Sequence, residues 1–185
     1  TDITKVTQKS LRENIAVVFQ EATLFSGTAR ENIAYGRPNA TEKEIEKAAK
    51  AANAWDFVQK LPEGLDTLVG ERGIKLSGGQ KQRISIARAL VKNPQIVVFD
   101  DCLSAVDSKT EKAIINSLYH YLQDKTAIII THRIFALFRF DKIIVMENGR
   151  IAESGTHEEL LAGNGVYADM FRRQQEQDEL PEGEK

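Results

Sequence analysis

The 185-residue sequence predicts an α/β protein with a parallel sheet core and a helical lobe. Apolar runs at 95–100 and 126–131 alternate with helical patterns, the order that builds a parallel sheet covered by helices. The first run has no polar alternation, as is typical of a central strand buried on both faces. The 21–92 region has little strand pattern and predicts a helical insertion. The contents of hydrophobic (42%) and charged (28%) residues are those of a soluble globular protein.

Composition narrows the classes of partner. A net charge of −2 and a pI near 6.0 give no electrostatic reason to expect nucleic acid. The apolar runs are shorter than the about 20 residues of a bilayer span, so we expect any membrane role to come from another segment or subunit. The start at Thr1, without Met or an apolar signal region, is interpreted as a cut end. The single cysteine, Cys102, is interpreted as a small filler beside a buried strand.

The first half of the chain predicts one strand and two helices. The strand covers 17–19 and ends at Gln20. An amphipathic helix covers 41–61, with Thr41 and Glu44 at the spacing of a capping box. A glycine-rich stretch then leads into a helix over 80–92, which an Asn-Pro pair stops.

The second half predicts the rest of the sheet. The second apolar run, 126–131, predicts another buried strand, and a capping box at Ser108 and Glu111 opens a helix between it and the first. A β-hairpin follows over 142–153, with a type I′ turn at Asn148 and Gly149. Two more helices follow, one opened by Thr156 and Glu159 and one running to about Gln175, before an acidic tail.

The Leu-Ser-Gly-Gly-Gln stretch at 76–80 has two readings. Ser77 and Gln80 have the spacing of a capping box, which is an ordinary way to begin a helix. The bare N–H groups of a helix start, with Gly78 and Gly79, also let an anion approach the backbone closely. From these residues alone, both readings stay open.

Polar side chains follow the apolar strands. Asp100 and Asp101 end the first, His132 follows the second, and Gln20 ends the 17–19 strand. Ligands of α/β folds bind at this edge of the sheet, where one Asp can hold Mg²⁺ and its neighbour can orient a water. Each residue also has a structural reading, since a strand must end in something polar.

The order and spacing of these motifs resemble the nucleotide-binding domain of ATP-binding-cassette (ABC) proteins. Gln20, the 76–80 stretch, Asp100 with Asp101, 104–107 and His132 resemble its Q-loop, signature, Walker B, D-loop and H-loop. The resemblance implies a P-loop NTPase (RecA-like) parallel sheet core, incomplete at its N-terminus, with an ABC helical subdomain. The implied segments are core up to the Q-loop (1–20), helical subdomain (21–92), remaining core (93–175) and a flexible acidic tail (176–185).

Two further stretches resemble exporters in particular. One is 23–33, after the Q-loop, and the other is the X-loop from Val69 to Gly73. In exporters the X-loop and Gln20 contact the transmembrane domains. The resemblance therefore implies ATP-driven export, a transmembrane partner and a place on the cytoplasmic face of the inner membrane, without nucleic acid.

The resemblance also assigns roles to the site residues. In the family two such domains sandwich two ATP molecules head to tail, each lending its signature to the other's site. Gln20 and Asp100 would assist Mg²⁺, Asp101 would stand at the general-base position, and His132 would contact the γ-phosphate. Toward the ATP held by the partner, this chain would supply the ATP-binding residues Ser77, Gly78, Gly79, Gln80 and, at the dimer seam, Asp107.

The sequence departs from the family twice. It contains no G-x-x-x-x-G-K-[ST] phosphate-binding loop, so we expect this chain alone to bind ATP poorly and not to hydrolyse it. Asp101 stands where the family usually has Glu, one methylene longer. Because small misplacements can cost about 10²-fold in rate, this favours the slow site of a heterodimeric exporter.

Two other functions remain open. One is a non-catalytic module that lends its 76–80 stretch to a partner ATPase, which the missing phosphate-binding loop favours. The other is a soluble ABC protein of translation or DNA repair, which the X-loop resemblance and the acidic charge disfavour.

Overall fold

A computed structural model describes residues 2–71, 73–103, 108–134 and 139–179. The chain divides into two compact units, Thr1–Ile130 and Thr131–Lys185. The first unit therefore combines the predicted 1–20 and 21–92 segments with the beginning of the 93–175 segment. Within the described ranges, no helix has the length and apolar character needed to cross a bilayer.

The elements alternate along the chain as follows. The strands are β1 (Ile15–Val18), β2 (Gly27–Thr28), β3 (Leu68–Val69), β4 (Ile96–Asp100), β5 (Thr126–Ile130), β6 (Ile143–Glu147) and β7 (Arg150–Gly155). The helices are α1 (Gln8–Asn14), α2 (Ala29–Ala34), α3 (Glu42–Ala51), α4 (Trp55–Val58), α5 (Gly78–Leu90), α6 (Ser108–Leu122), α7 (His157–Ala162) and α8 (Val166–Glu179). Short 3₁₀ turns cover Ile3–Lys5 and Gly64–Asp66.

The predicted parallel sheet is confirmed. Its described strands lie in the order β1-β4-β5, and both pairs run parallel. Val18 pairs with Phe99, and Asp100 pairs with Ile130. The carboxyl ends of the three strands therefore meet at one edge of the sheet. The central strand β4 buries Val97 and Phe99.

Strand β5 is more exposed than the sequence predicts. Its side chains were expected to be buried, yet Ile128 and Ile130 are each about half exposed (49% and 52%). β5 is an edge strand, with no described strand paired along its outer side. The apolar run therefore predicted the strand correctly but not its burial.

The helical lobe differs from the prediction in the break of one helix and in the start of another. The helix expected over 41–61 is two helices, α3 and α4. Asn53, in the left-handed conformation (φ 52°), turns the chain between them. The predicted capping box is confirmed, because Thr41 accepts from the N–H of Glu44 and the Glu44 side chain accepts from that of Thr41. α2 and α3 both pack against α5, which begins at Gly78 rather than at residue 80.

The second unit matches its predicted elements closely. β6 and β7 form a hairpin whose turn residues Asn148 (φ 49°) and Gly149 (φ 75°) have the positive φ of a type I′ turn. Thr156 and Glu159 form the predicted capping box of α7. α8 continues to Glu179, beyond its predicted end near residue 175. The last part of the predicted tail, 180–185, lies outside the described residues.

Candidate functional site

The sheet edge brings together Gln20 and Asp101. Gln20 follows β1 and Asp101 follows β4, two strands that are neighbours in the sheet. The Gln20 amide nitrogen donates to Oδ2 of Asp101 at 2.9 Å. The backbone N–H of Asp101 donates to the carbonyl oxygen of Ile130, at the end of β5, at 2.8 Å. Asp101 is thus tied to both neighbouring strand ends.

The backbone at Asp101 turns sharply. Its φ of 42° lies in the left-handed region, which Asp tolerates better than most residues. Asp100 before it is the last residue of β4 and is half-buried. Two consecutive carboxylates therefore stand at the carboxyl edge of the sheet, where the chain leaves the strand.

The donor set at this edge fits Mg²⁺. Carboxylate and amide oxygens are hard ligands, and Mg²⁺ commonly takes only one or two carboxylates while it keeps several waters. The described residues contain no group of three or more His, Cys, Asp or Glu placed to hold a metal. Asp100, Asp101 and the Gln20 oxygen thus suit a partly hydrated Mg²⁺ better than a metal held by protein ligands alone.

The 76–80 stretch forms the start of α5, a helix of 13 residues. The Ser77 Oγ accepts from the N–H of Gln80 at 3.3 Å, and the Gln80 Oε1 accepts from the N–H of Ser77 at 2.9 Å. The capping box thereby uses two of the first N–H groups. Those of Gly78 and Gly79 have no acceptor within the helix, and Ser77 and Gly78 are exposed. The capping box is therefore confirmed, and it leaves a helix end whose geometry suits an anion.

Arg83 fixes this end of α5 within the helical lobe. Its Nε donates to the carbonyl of Gly79 at 3.2 Å, and its NH1 group donates to that of Asn53 at 3.0 Å. The guanidinium carbon lies 4.5 Å from the ring centroid of Phe57. The arginine therefore joins the first turn of α5 to the break between α3 and α4.

A second arginine joins α5 to the segment after the Q-loop. Arg88 donates to the backbone oxygen and the side-chain oxygen of Asn32, both at 2.9 Å, and its guanidinium stacks on the ring of Phe25. The amide of Asn32, which is buried, also exchanges hydrogen bonds with the backbone of Phe25. Burial lowers the pKa of Arg88. Sequence reasoning missed both residues, because their partners lie far along the chain.

Gln82 is a third residue that sequence reasoning missed. It lies on α5 and is buried, and its amide nitrogen donates to the carbonyl of Phe19 at 3.3 Å. The thiol of Cys102 is buried, as predicted, and this desolvation raises its pKa to about 12 although a hydrogen bond with Gln82 acts in the opposite direction. One signal could have identified Gln82. It is a polar residue at the helical spacing of Ile86 and Ala89, which lie on the buried face of α5.

The two exporter-like stretches meet in the fold. β2, within 23–33, pairs antiparallel with β3, which leads into the X-loop. Gly70 has a φ of 88°, and a side chain there would stand 2.9 Å from the backbone oxygen of Phe25. Four exposed apolar side chains lie on the segments around this pairing: Phe25 and Tyr35, whose ring centroids are 4.4 Å apart, and Leu68 and Ile74, which share a backbone hydrogen bond.

Two further predicted site residues belong to other parts of the chain. His132 is exposed and belongs to the second unit. Asp107, with the rest of 104–107, lies outside the described residues, as does Arg72 of the X-loop.

Comparison with known proteins identifies the family. The family model described as "ABC transporter" matches residues 1–104, more than half of the chain. An ATP-dependent lipid A-core flippase of Methylobacillus flagellatus is 47% identical over 94% of this chain and 30% of its own length. A probable multidrug resistance ABC transporter ATP-binding/permease protein of Bacillus subtilis is 53% identical over 89% of this chain and 28% of its own. The chain thus spans less than a third of the length of these relatives.

A solved structure agrees with these relatives. A bacterial Atm1-family ABC exporter with ATP bound has a TM-score of 0.86 and 46% identity, covering 100% of this chain and 32% of the exporter chain. An ATM1-type heavy metal exporter of Novosphingobium aromaticivorans is 49% identical over 94% of this chain and 28% of its own length. The chain belongs to the ABC transporter family, as an exporter-type nucleotide-binding domain.

Proposed function

We propose that this chain is part of the ATP-hydrolysing machinery of a membrane exporter. The observation that carries the proposal is the hydrogen bond between Gln20 and Asp101 at the carboxyl edge of the sheet. It joins the two sequence motifs that, in this family, lie beside the reacting phosphate. The exporter names of the relatives support a transport role.

In this proposal the sheet edge positions water and metal for phosphoryl transfer from ATP. Asp100 and Gln20 hold Mg²⁺, and the chemistry that bound Mg²⁺ supplies is neutralisation of charge on the phosphates. Asp101, held by Gln20 and by the Ile130 carbonyl, orients the attacking water. His132 contacts the γ-phosphate. Positioning of this kind supplies most of the catalysis in phosphoryl transfer.

The start of α5 serves a different ATP molecule, held by a partner domain. The exposed Ser77 hydroxyl and the N–H groups of Gly78 and Gly79 suit a γ-phosphate, and the helix dipole favours its negative charge. Gln80 keeps the helix start rigid through the capping box, and Asp107 lies at the dimer seam. The partner is a second nucleotide-binding domain.

Asp101 makes this chain's own site the slower one of a heterodimer. Its side chain is one methylene shorter than the Glu usual in the family, so its carboxylate stops short of the water. The capping geometry at 76–80 is intact. We therefore propose that this chain's signature serves the partner's fast site.

The exposed apolar side chains of Phe25, Tyr35, Leu68 and Ile74 and the X-loop contact the transmembrane part of the exporter. An exposed group of apolar side chains next to a pairing of two loop segments is typical of an interaction surface. In this proposal the domain lies on the cytoplasmic face of the inner membrane, attached through this surface and Gln20.

The test is ATP hydrolysis by the assembled exporter carrying Ser77→Arg. The substitution removes the Ser77 hydroxyl, and the larger arginine side chain fills the anion-binding end of α5. Turnover should therefore fall by about 10²-fold. Thr41→Arg is the matched control, because Thr41 caps α3 with the same capping box and lies outside the site. Normal turnover in Ser77→Arg would reject the role of the signature.

A second candidate function rests on the intact helix start at 76–80 alone. It is a non-catalytic module that lends its signature to a partner. In this second function Ser77 has the same role as in the first, but Asp101 has none. Substitution of Asp101 therefore separates the two functions.

A further inference from the structure

The buried amide of Gln82 has an unusual set of partners. The residue is 1% exposed, and its Nε2 donates to the Phe19 carbonyl at 3.3 Å, while the side chain also lies beside the Cys102 thiol. Its Oε1 is buried without a hydrogen-bond partner among the described residues. An apolar side chain of similar size would avoid burying that oxygen. The presence of an amide at this position is therefore best explained by the hydrogen bond that its nitrogen donates.

The Gln82 side chain meets both chain segments that carry the Gln20–Asp101 pair, through its hydrogen bond to Phe19 and its position beside Cys102. Phe19 comes directly before Gln20, and Cys102 comes directly after Asp101. Because Gln20 also bonds to Asp101, Gln82 of α5 is connected through Phe19 and Gln20 to Asp101. α5 is the helix that begins with the signature.

We propose that Gln82 is a positioning residue for ATP hydrolysis, an inference that rests on the proposed function. It fixes the Gln20–Asp101 pair relative to α5 and so links the chain's own site to the signature that serves the partner. It touches neither nucleotide nor water. Loss of its N–H groups leaves α5 packed but releases the two strand ends from it.

The test substitutes Gln82→Met in the assembled exporter, which keeps the side-chain volume and removes the donors. Ser85→Ala is the control, since Ser85 on the same helix also buries an oxygen without a hydrogen-bond partner among the described residues. Hydrogen exchange at 15–22 and 96–103 should become faster in Gln82→Met, while exchange in α5 stays unchanged. Ser85→Ala should leave all three segments as in the wild type.

Kinetics of the same variants give an independent readout. Turnover in Gln82→Met should fall by about tenfold or more, as for other small misplacements of reacting groups, while KM for Mg·ATP stays the same. If Gln82 acts through Gln20, Gln82→Met should have no further effect in a Gln20→Ala background. A purely structural role would lower turnover in both backgrounds.

Unchanged exchange and turnover in Gln82→Met would overturn the inference, as would additive losses with Gln20→Ala. Either result would leave the proposed function intact as long as the wild-type exporter hydrolyses ATP and Ser77→Arg does not. Absence of ATP hydrolysis in the wild type would instead reject the proposed function itself.

Discussion

At the scale of single residues, Asp101 is fixed by hydrogen bonds but has a shorter side chain than the residue usual at this position of the family. It is held by Gln20 on one side and by the Ile130 carbonyl on the other, in a left-handed backbone conformation. A side chain held in this way is well oriented. Its length is what sets it apart from the residue usual in the family.

Asp101→Glu should therefore raise ATP turnover at this chain's own site. The extra methylene carries the carboxylate closer to the attacking water, and the gain should reach about tenfold or more. Site-resolved single-turnover hydrolysis in the assembled exporter measures it. Asp101→Asn is the control that should lower turnover, and equal rates in all three proteins would show that Asp101 has no role in hydrolysis.

At the scale of elements, α5 holds the lobe and the sheet edge together through three polar side chains. Arg83 reaches the break between α3 and α4, Gln82 reaches the end of β1, and Arg88 reaches Asn32 in α2. Each bond spans residues far apart in sequence. The position of the signature is thus fixed by tertiary contacts of its helix as well as by its cap.

Asn32→Ala should lower the free energy of unfolding by about 1–3 kcal/mol. The change removes the side-chain acceptor of one Arg88 nitrogen and both hydrogen bonds with the Phe25 backbone, while the bond from Arg88 to the backbone oxygen at position 32 remains. Urea unfolding measures the loss. Asn14→Ala, which removes an exposed side-chain hydrogen bond to Ser10, is the control and should change stability little. Equal losses in the two variants would contradict the importance of the buried network.

The sequence could predict the elements whose signals are local. The capping boxes at Thr41, Ser77 and Thr156 and the turn at Asn148 depend on residues three positions apart or fewer, and all four are confirmed. The apolar β4 run likewise predicted a central strand.

Features that depend on distant partners could not be predicted. The helix break at Asn53 brings its carbonyl to Arg83, 30 residues away, and nothing in the 41–61 pattern signals it. The same holds for the contact of Gln82 with Phe19, which spans 63 residues. For the site, motif order predicted which residues end the strands, while the bond between Gln20 and Asp101 needed the register of the sheet.

At the scale of the whole molecule, the chain contains the signature at 76–80 and the Walker B residues Asp100 and Asp101. Its parallel sheet also exposes apolar residues of an edge strand. Ile128 and Ile130 of β5 are about half exposed. In a parallel sheet such side chains are normally covered by further protein. The relatives are more than three times as long as this chain, and in the proposed function ATP is bound jointly with other parts of an exporter.

The isolated 185-residue chain should therefore bind Mg·ATP too weakly to detect at micromolar concentrations. Its sequence has no phosphate-binding lysine loop. Isothermal titration calorimetry measures the affinity, with the assembled exporter titrated under the same conditions as the control. Micromolar binding by the chain alone would show that the residues described above suffice to hold the nucleotide.

The central claim is that Ser77 and Asp101 serve two different ATP molecules. The most direct measurement is vanadate trapping of a photoreactive ATP analogue in the assembled exporter carrying Ser77→Arg, followed by identification of the labelled subunit. Trapped label should disappear from the partner subunit and persist on the subunit that contains this chain. Loss of label from this chain's subunit, with the partner still labelled, would contradict it.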